Sequence, residues 1–128
     1  MPSITPAYIE SFVHLATNTD LSYNETGKIQ FHNRGRRILR LIADRLGLQP
    51  GMYDIRSNMG GIAVSGEVSL HSENLYVQFA QSCLGTDWGF MYRTCKGRKD
   101  YTGGVNHWMK WEELLSLDVA VTKFKNLR

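Results

Sequence analysis

Nowhere does this chain of 128 residues run to eighteen consecutive apolar residues, so it has no candidate membrane span. Its opening residues, Met1-Pro2-Ser3-Ile4-Thr5-Pro6, lack a basic segment followed by an apolar one. A secretory signal is therefore not expected, and the chain reads as cytoplasmic. Cysteine is scarce. Cys83 and Cys95 are the only two and read as reduced thiols, and there is no Cys-x-x-Cys or His-x-x-x-His pairing to support a zinc site. Glu112, Glu113 and Asp118 scatter around a helix rather than converge, so neither a metal nor another cofactor is expected. The phosphate-cradling pattern Gly-x-x-x-x-Gly-Lys-[Ser/Thr] is missing. Repeats, low-complexity tracts and linkers are missing too, which points to one domain, long enough to bury roughly two-thirds of its unfolded surface without staples. Nor is charge strongly one-sided: 15 Lys and Arg against 12 Asp and Glu leave a net charge of +3. That balance permits an anionic partner without demanding one.

What is present is periodic. Thr5-Pro6 has the form of a helix start, with Thr5 as N-cap and Pro6 at the first helical position. Ile9, Phe12, Val13 and Ala16 follow at helical spacing until Asn18-Thr19-Asp20. Residues 25–46 make the strongest helix, with Phe31, Ile38, Leu41, Ile42 and Leu46 on one face and Arg36, Arg37 and Arg40 on the opposite one. Gly47 sits where a C′ glycine belongs, and Pro50 follows as a stop. Gly35, inside this helix, marks either a close helix–helix contact or a break near residue 33.

Beyond Pro50 the period drops to two. Tyr53, Ile55 and Ser57 alternate with Asp54 and Arg56. Ile62, Val64, Gly66, Val68 and Leu70 alternate with Ala63, Ser65, Glu67, Ser69 and His71. Leu75, Val77 and Phe79 alternate with Tyr76, Gln78 and Ala80, and Phe90 to Cys95 makes a fourth strand. Gly60-Gly61, Ser72-Glu73-Asn74 and Gly85-Thr86-Asp87 supply the turns. The expected fold is α+β, with N-terminal helices packed on a four-stranded antiparallel meander and a short C-terminal helix. Asn106 is the expected cap of that last helix, which carries Trp111, Leu114 and Leu115. Residues 119–128 are compatible with a helix, an edge strand or a subunit contact. The N-terminal amphipathic segment and this apolar tail exceed what one sheet face can cover, so a homo-oligomer is expected.

The richest segment is 92–108, Tyr-Arg-Thr-Cys-Lys-Gly-Arg-Lys-Asp-Tyr-Thr-Gly-Gly-Val-Asn-His-Trp. Glycines let backbone N–H groups approach an anion, arginine and lysine supply charge, and Tyr and Trp supply stacking faces. Arg93, Arg98 and Lys99 suit a phosphate. Tyr92, Tyr101 or Trp108 suits a ring, and Thr102-Gly103-Gly104 offers donors. The plain alternative is a solvated basic turn whose Asp100 pairs with a neighbouring cation. Arg36, Arg37 and Arg40 suit a phosphate or a partner, or are simply a solvated face. His71 and His107 have the chemistry of an acid–base pair on a phosphodiester, although nothing in the sequence brings them together. Ser82-Cys83 lacks the flanking signature of a cysteine hydrolase.

The basic helix, the antiparallel sheet, and Met91-Tyr92-Arg93-Thr94-Cys95 leading to Gly97-Arg98-Lys99-Asp100-Tyr101-Thr102-Gly103-Gly104 and Asn106-His107-Trp108 resemble a type of small phage-encoded protein, the Thoeris anti-defence sponges. The similarity spans roughly residues 28–115 and rests mainly on 91–108. It implies oligomers that sequester cyclic ADP-ribose-type signals without cleaving them. It also implies pockets at a subunit interface, an aromatic and an asparagine on the base or ribose, and arginines on the pyrophosphate. Asn106, Tyr101 and Arg98 are the matching positions. The tail departs from the pattern: it has no arginine before Arg128, which puts in doubt any phosphate contact from a C-terminal helix.

The sequence therefore reads as a non-catalytic, cytoplasmic, homo-oligomeric binder of a phosphorylated nucleotide. Arg93, Arg98, Lys99, Tyr101, Gly103, Gly104, Asn106, His107 and Trp108 form the expected site. The alternatives are a nucleic-acid-binding module using Arg36, Arg37 and Arg40 with the basic loop, an inhibitor of a host protein anchored by Trp88, Trp108 and Trp111, and a phosphodiesterase using His71 and His107.

Overall fold

The structure, a computed structural model, describes residues 5–17, 25–58, 67–80, 90–97, 100 and 105–127. Helix α1 (Pro6–Thr17) starts as its sequence predicts: the Thr5 hydroxyl accepts a hydrogen bond from the Tyr8 amide at 3.2 Å, satisfying one of the free N–H groups of the first turn. Ile9, Phe12, Leu15 and Ala16 form its buried stripe. Helix α2 (Glu25–Arg45) runs unbroken through residue 33. Its end is a Schellman closure, in which the Leu48 amide reaches the Ala43 carbonyl at 2.9 Å and the Gly47 amide reaches that of Asp44 at 3.1 Å. This geometry places Gly47 at φ +79°, a backbone conformation that L side chains resist. Gly35 marks a close approach: a Cβ there would stand 3.3 Å from the Phe12 ring and 3.5 Å from Val68, so the bare backbone lets α1, α2 and the sheet meet.

The sheet is antiparallel, in the order β1 (Tyr53–Asn58), β2 (Glu67–Ser72), β3 (Leu75–Ala80), β4 (Phe90–Thr94) and β5 (His107–Met109). The Ser72 hydroxyl holds the β2–β3 hairpin by accepting from the Leu75 amide at 3.0 Å. After β5 come a 3-10 turn (Trp111–Leu115) and helix α3 (Leu117–Leu127). The molecule is α+β, with described helices packed on one face of the meander. Val68, Leu70, Val77, Phe79, Phe90 and Met109 point into that layer. There Phe12, Phe31, Phe79, Phe90 and Trp111 meet at centroid distances of 4.9 to 5.7 Å, Phe12 and Phe31 stacked and the other pairs tilted or edge-on.

Three expectations need correction. Among the described residues the meander has five strands, not four: Phe90 pairs with Met109, Met91 with Trp108 and Tyr92 with His107. Three residues of alternation carry too little signal to stand out, and it is the pairing with β4 that stabilises β5. Asn106 therefore precedes a strand and caps no helix. Lys110 occupies the N-cap of the 3-10 turn, and its amide donates to the Glu113 carboxylate at 3.0 Å. Glu113 also takes a hydrogen bond from Lys123 of α3, which holds its carboxyl below the usual range and ties the turn to the last helix. Finally, 117–127 is helical and buries Leu117, Ala120, Val121 and Phe124 within the subunit, as α1 buries Phe12. Surplus apolar surface on these two segments is therefore no ground for an oligomer. Among the described residues no helix is long and apolar enough to cross a membrane.

Candidate anion site on the second face of the sheet

Antiparallel register sets side chains from different strands next to one another. On the sheet face away from the helices, one row across β1 to β4 reads Asp54, His71, Tyr76, Arg93. The adjoining row, reaching β5, reads Arg56, Ser69, Gln78, Met91, Trp108. This is the polar half of the strand alternation, yet His71 is fully buried and Tyr76 is 6% exposed. Polar groups at such depth need partners, and these have them.

His71 is the hub. Its Nδ1 lies 2.9 Å from Arg56 Nη1, and its Nε2 lies 2.9 Å from the carbonyl oxygen of Gly97. Guanidinium can only donate and a carbonyl can only accept, so Nδ1 carries the lone pair and Nε2 the proton. Burial pushes the His71 pKa down; the Gly97 hydrogen bond pulls it part of the way back, the positive charges of Arg56 and Arg93 add to the lowering, and Asp100 opposes them, for a net downward shift. The ring is thus a neutral bracket between β1 and the segment after β4. That segment is pinned again by Asp100, whose amide donates to the Gly97 carbonyl at 3.1 Å and whose carboxylate accepts from the Lys96 amide at 3.0 Å.

Tyr76 is the second hub. Its ring meets His71 edge-on at 5.0 Å, and the Arg93 guanidinium lies over it at 4.8 Å. Its hydroxyl donates to Gln78 Oε1 at 3.0 Å. Burial raises the Tyr76 pKa, and nearby Glu67 adds to the rise, so the phenol stays protonated and remains a donor. Arg56 also reaches Asp54 at 3.1 Å while its side chain keeps 38% exposure. Two guanidinium groups, on β1 and β4, thereby flank a buried His–Tyr pair. Trp108, 55% exposed, lies on the same face at the sheet edge. Such a surface can hold an anion attached to a planar group. It is poorly suited to proton transfer, since both nitrogens of His71 are engaged. Cys95 is no nucleophile here: burial raises its pKa, and its thiol donates to the Ser72 carbonyl at 3.2 Å.

Of the expected site residues, Arg93 and Trp108 share this face. His107 does not. It pairs with Tyr92, stacks on that ring at 5.5 Å, and so lies on the helix side. His71 and His107 are on opposite faces and cannot act together on one phosphodiester. Asn106 is exposed just before β5. Arg98, Lys99, Tyr101, Gly103 and Gly104, like Cys83 and Trp88, lie outside the described residues. Trp111 is core rather than an interface anchor. Arg56, Ser69, Tyr76 and Gln78 were not expected. Their alternation had put them on a polar strand face, but only the register set them beside Arg93. A shallow hollow elsewhere, lined by Arg45, Asp118, Val121, Thr122 and Lys125, contains its own ion pair, Arg45–Asp118 at 2.7 Å.

Comparison with protein-family models, curated proteins and solved structures gives no match to this chain.

The His71 bracket makes stability pH-dependent. Its folded pKa lies below the ordinary 6.5, so on acidification the unfolded chain takes up a proton that the folded one refuses. Stability is full above about pH 6.5 and falls as pH drops from there toward the depressed folded value. Urea unfolding between pH 5 and 8 should show this slope, and His71→Gln should flatten it. Equal slopes in the two proteins would refute the assignment.

Proposed function

We propose that this protein is a non-catalytic binder of a phosphate-bearing nucleotide, held against the second sheet face beneath the segment that follows β4. The observation that carries the reading is the convergence of Arg56 and Arg93 on the His71–Tyr76 pair, with the exposed indole of Trp108 on the same face. In this reading the guanidinium forks take the phosphate oxygens and Trp108 takes the base. Arg98, Lys99, Tyr101, Gly103, Gly104 and Asn106 are the further candidate contacts that the sequence offers, with Tyr101 and Asn106 for the base or ribose. By its resemblance to the Thoeris anti-defence sponges, the ligand is a cyclic ADP-ribose-type signal. The setting is a phage-encoded protein in the host cytoplasm, and the active form is a homo-oligomer that sequesters the signal intact. Val105 and Trp108, 74% and 55% exposed at edge strand β5, are the surface that favours a second copy there.

The test is to denature the purified protein and identify any released small molecule by mass spectrometry, followed by calorimetry with cyclic ADP-ribose isomers and cyclic dinucleotides. An intact nucleotide released or bound with measurable heat is the expected result. No released nucleotide, no heat and no thermal shift with any of them would overturn the reading.

A further inference from the structure

The helix layer carries a second anion-seeking surface on the side of the molecule opposite the sheet site. Arg34, Arg36, Arg37 and Arg40 fall within two turns of α2, spanning about 9 Å of helix axis. Arg37 and Arg40 are exposed, and the other two are half-buried. Among the described residues the partners of these arginines are all neutral. The Arg37 guanidinium lies over the Tyr8 ring at 5.1 Å and that of Arg34 at 5.5 Å, while Arg34 also donates to the Ser11 hydroxyl and Arg36 to the Asn33 side-chain oxygen. Among the described residues no carboxylate pairs with any of the four. Arg45, at the end of the same helix, does pair, with Asp118. Asp44 is exposed one turn beyond Arg40.

We propose that this arc, with Arg36, Arg37 and Arg40 as its contacts, docks the sugar–phosphate backbone of a nucleic acid without reading its sequence. Residues three and four apart on a helix are neighbours, so Arg36 and Arg37 both flank Arg40 and the three form a cluster that can meet neighbouring phosphates. Each presents a fork of donors that fits phosphate oxygens. Tyr8 holds Arg34 and Arg37 in place, which reduces the freedom lost on binding. A membrane is disfavoured because a surface-lying helix needs an apolar face to insert, and that of α2 is buried against the sheet. A protein partner is disfavoured because such interfaces use large apolar or aromatic anchors, and the exposed one on this helix is Ile29. The surface is independent of the nucleotide site and stands or falls separately.

Fluorescence anisotropy of the intact protein with labelled duplex DNA, single-stranded DNA and RNA, over a range of salt, tests it. Three phosphate contacts give a slope of log K against log salt of about −3 for duplex and about −2 for a single strand. Arg36→Gln and Arg40→Gln should each reduce the slope by about one, whereas Arg40→Lys preserves it. Arg93→Gln should leave it unchanged, which separates this surface from the nucleotide site. Absence of salt-dependent binding, or slopes indifferent to Arg36 and Arg40, overturns the proposal. So does binding of anionic phosphatidylserine vesicles or an acidic peptide through these arginines while nucleic acid fails to bind.

Discussion

Phe12→Ala should cost about 3–5 kcal/mol of folding stability, the usual range for removing a fully buried phenylalanine. Phe12 has no solvent exposure, and its ring meets Phe31 at 5.1 Å, Phe79 at 5.2 Å and Trp111 at 5.7 Å. One side chain thus joins α1, α2, the sheet and the 3-10 turn. The Gly35 backbone closes in from another side, so the surroundings have little room to collapse into the vacated space. Against a total of about 5–15 kcal/mol, this is a large fraction of the protein's stability. Chemical denaturation should show a midpoint shifted far toward water with little change in slope. Phe12→Leu, which retains most of the volume, should lose clearly less. Equal small losses in both variants would mean that the aromatic cluster is not the centre of the core.

The largest effect on binding is expected at Arg93. If its guanidinium meets a ligand phosphate, Arg93→Gln removes a charge-assisted hydrogen bond of about 1.5–3 kcal/mol, or roughly ten- to a hundredfold in affinity. The same change removes the contact with the Tyr76 ring, a loss of about 0.5–2 kcal/mol in stability, so the protein should remain folded. Arg93→Lys keeps the charge without the fork and should fall between the two. Trp108→Ala tests the stacking half of the site: at 55% exposure the indole contributes little to folding, yet its loss should weaken a stacked base by about 1–3 kcal/mol. Calorimetry with whichever nucleotide the wild-type protein binds gives both numbers, and circular dichroism establishes folding. Wild-type affinity in both variants would remove this face from consideration.

Local signals in the chain foretold local structure. Thr5-Pro6 and Gly47 mark the start of α1 and the end of α2 because capping depends on a few neighbouring residues. The apolar stripe of α2 and the two-residue alternation of β2 and β3 are likewise written in consecutive positions. Strand β5 was not legible, because three residues have no periodicity to speak of and His107-Trp108-Met109 becomes a strand only by pairing with β4. Residues 119–128 were ambiguous for a related reason: Val119, Val121 and Phe124 suit either period until Tyr92 and the 3-10 turn provide the surface that selects the helix.

The site divides in the same way. That Asp54, Arg56, Ser69, His71, Tyr76 and Gln78 belong to polar strand faces follows from alternation, because successive side chains in a strand point to opposite sides. That Arg56 reaches His71, that His71 reaches Gly97, and that Arg93 covers Tyr76 depends on strand order and register, which pair residues from 15 to 26 positions apart or across β3 and β4. The same geometry separates His107 from Trp108, adjacent in the chain and on opposite faces of the sheet. Chemistry type and element boundaries are carried by short stretches of sequence, whereas the company each side chain keeps is set by hydrogen-bonded ladders between distant segments. Shifting one register by a single residue would leave every local pattern intact and dismantle the site.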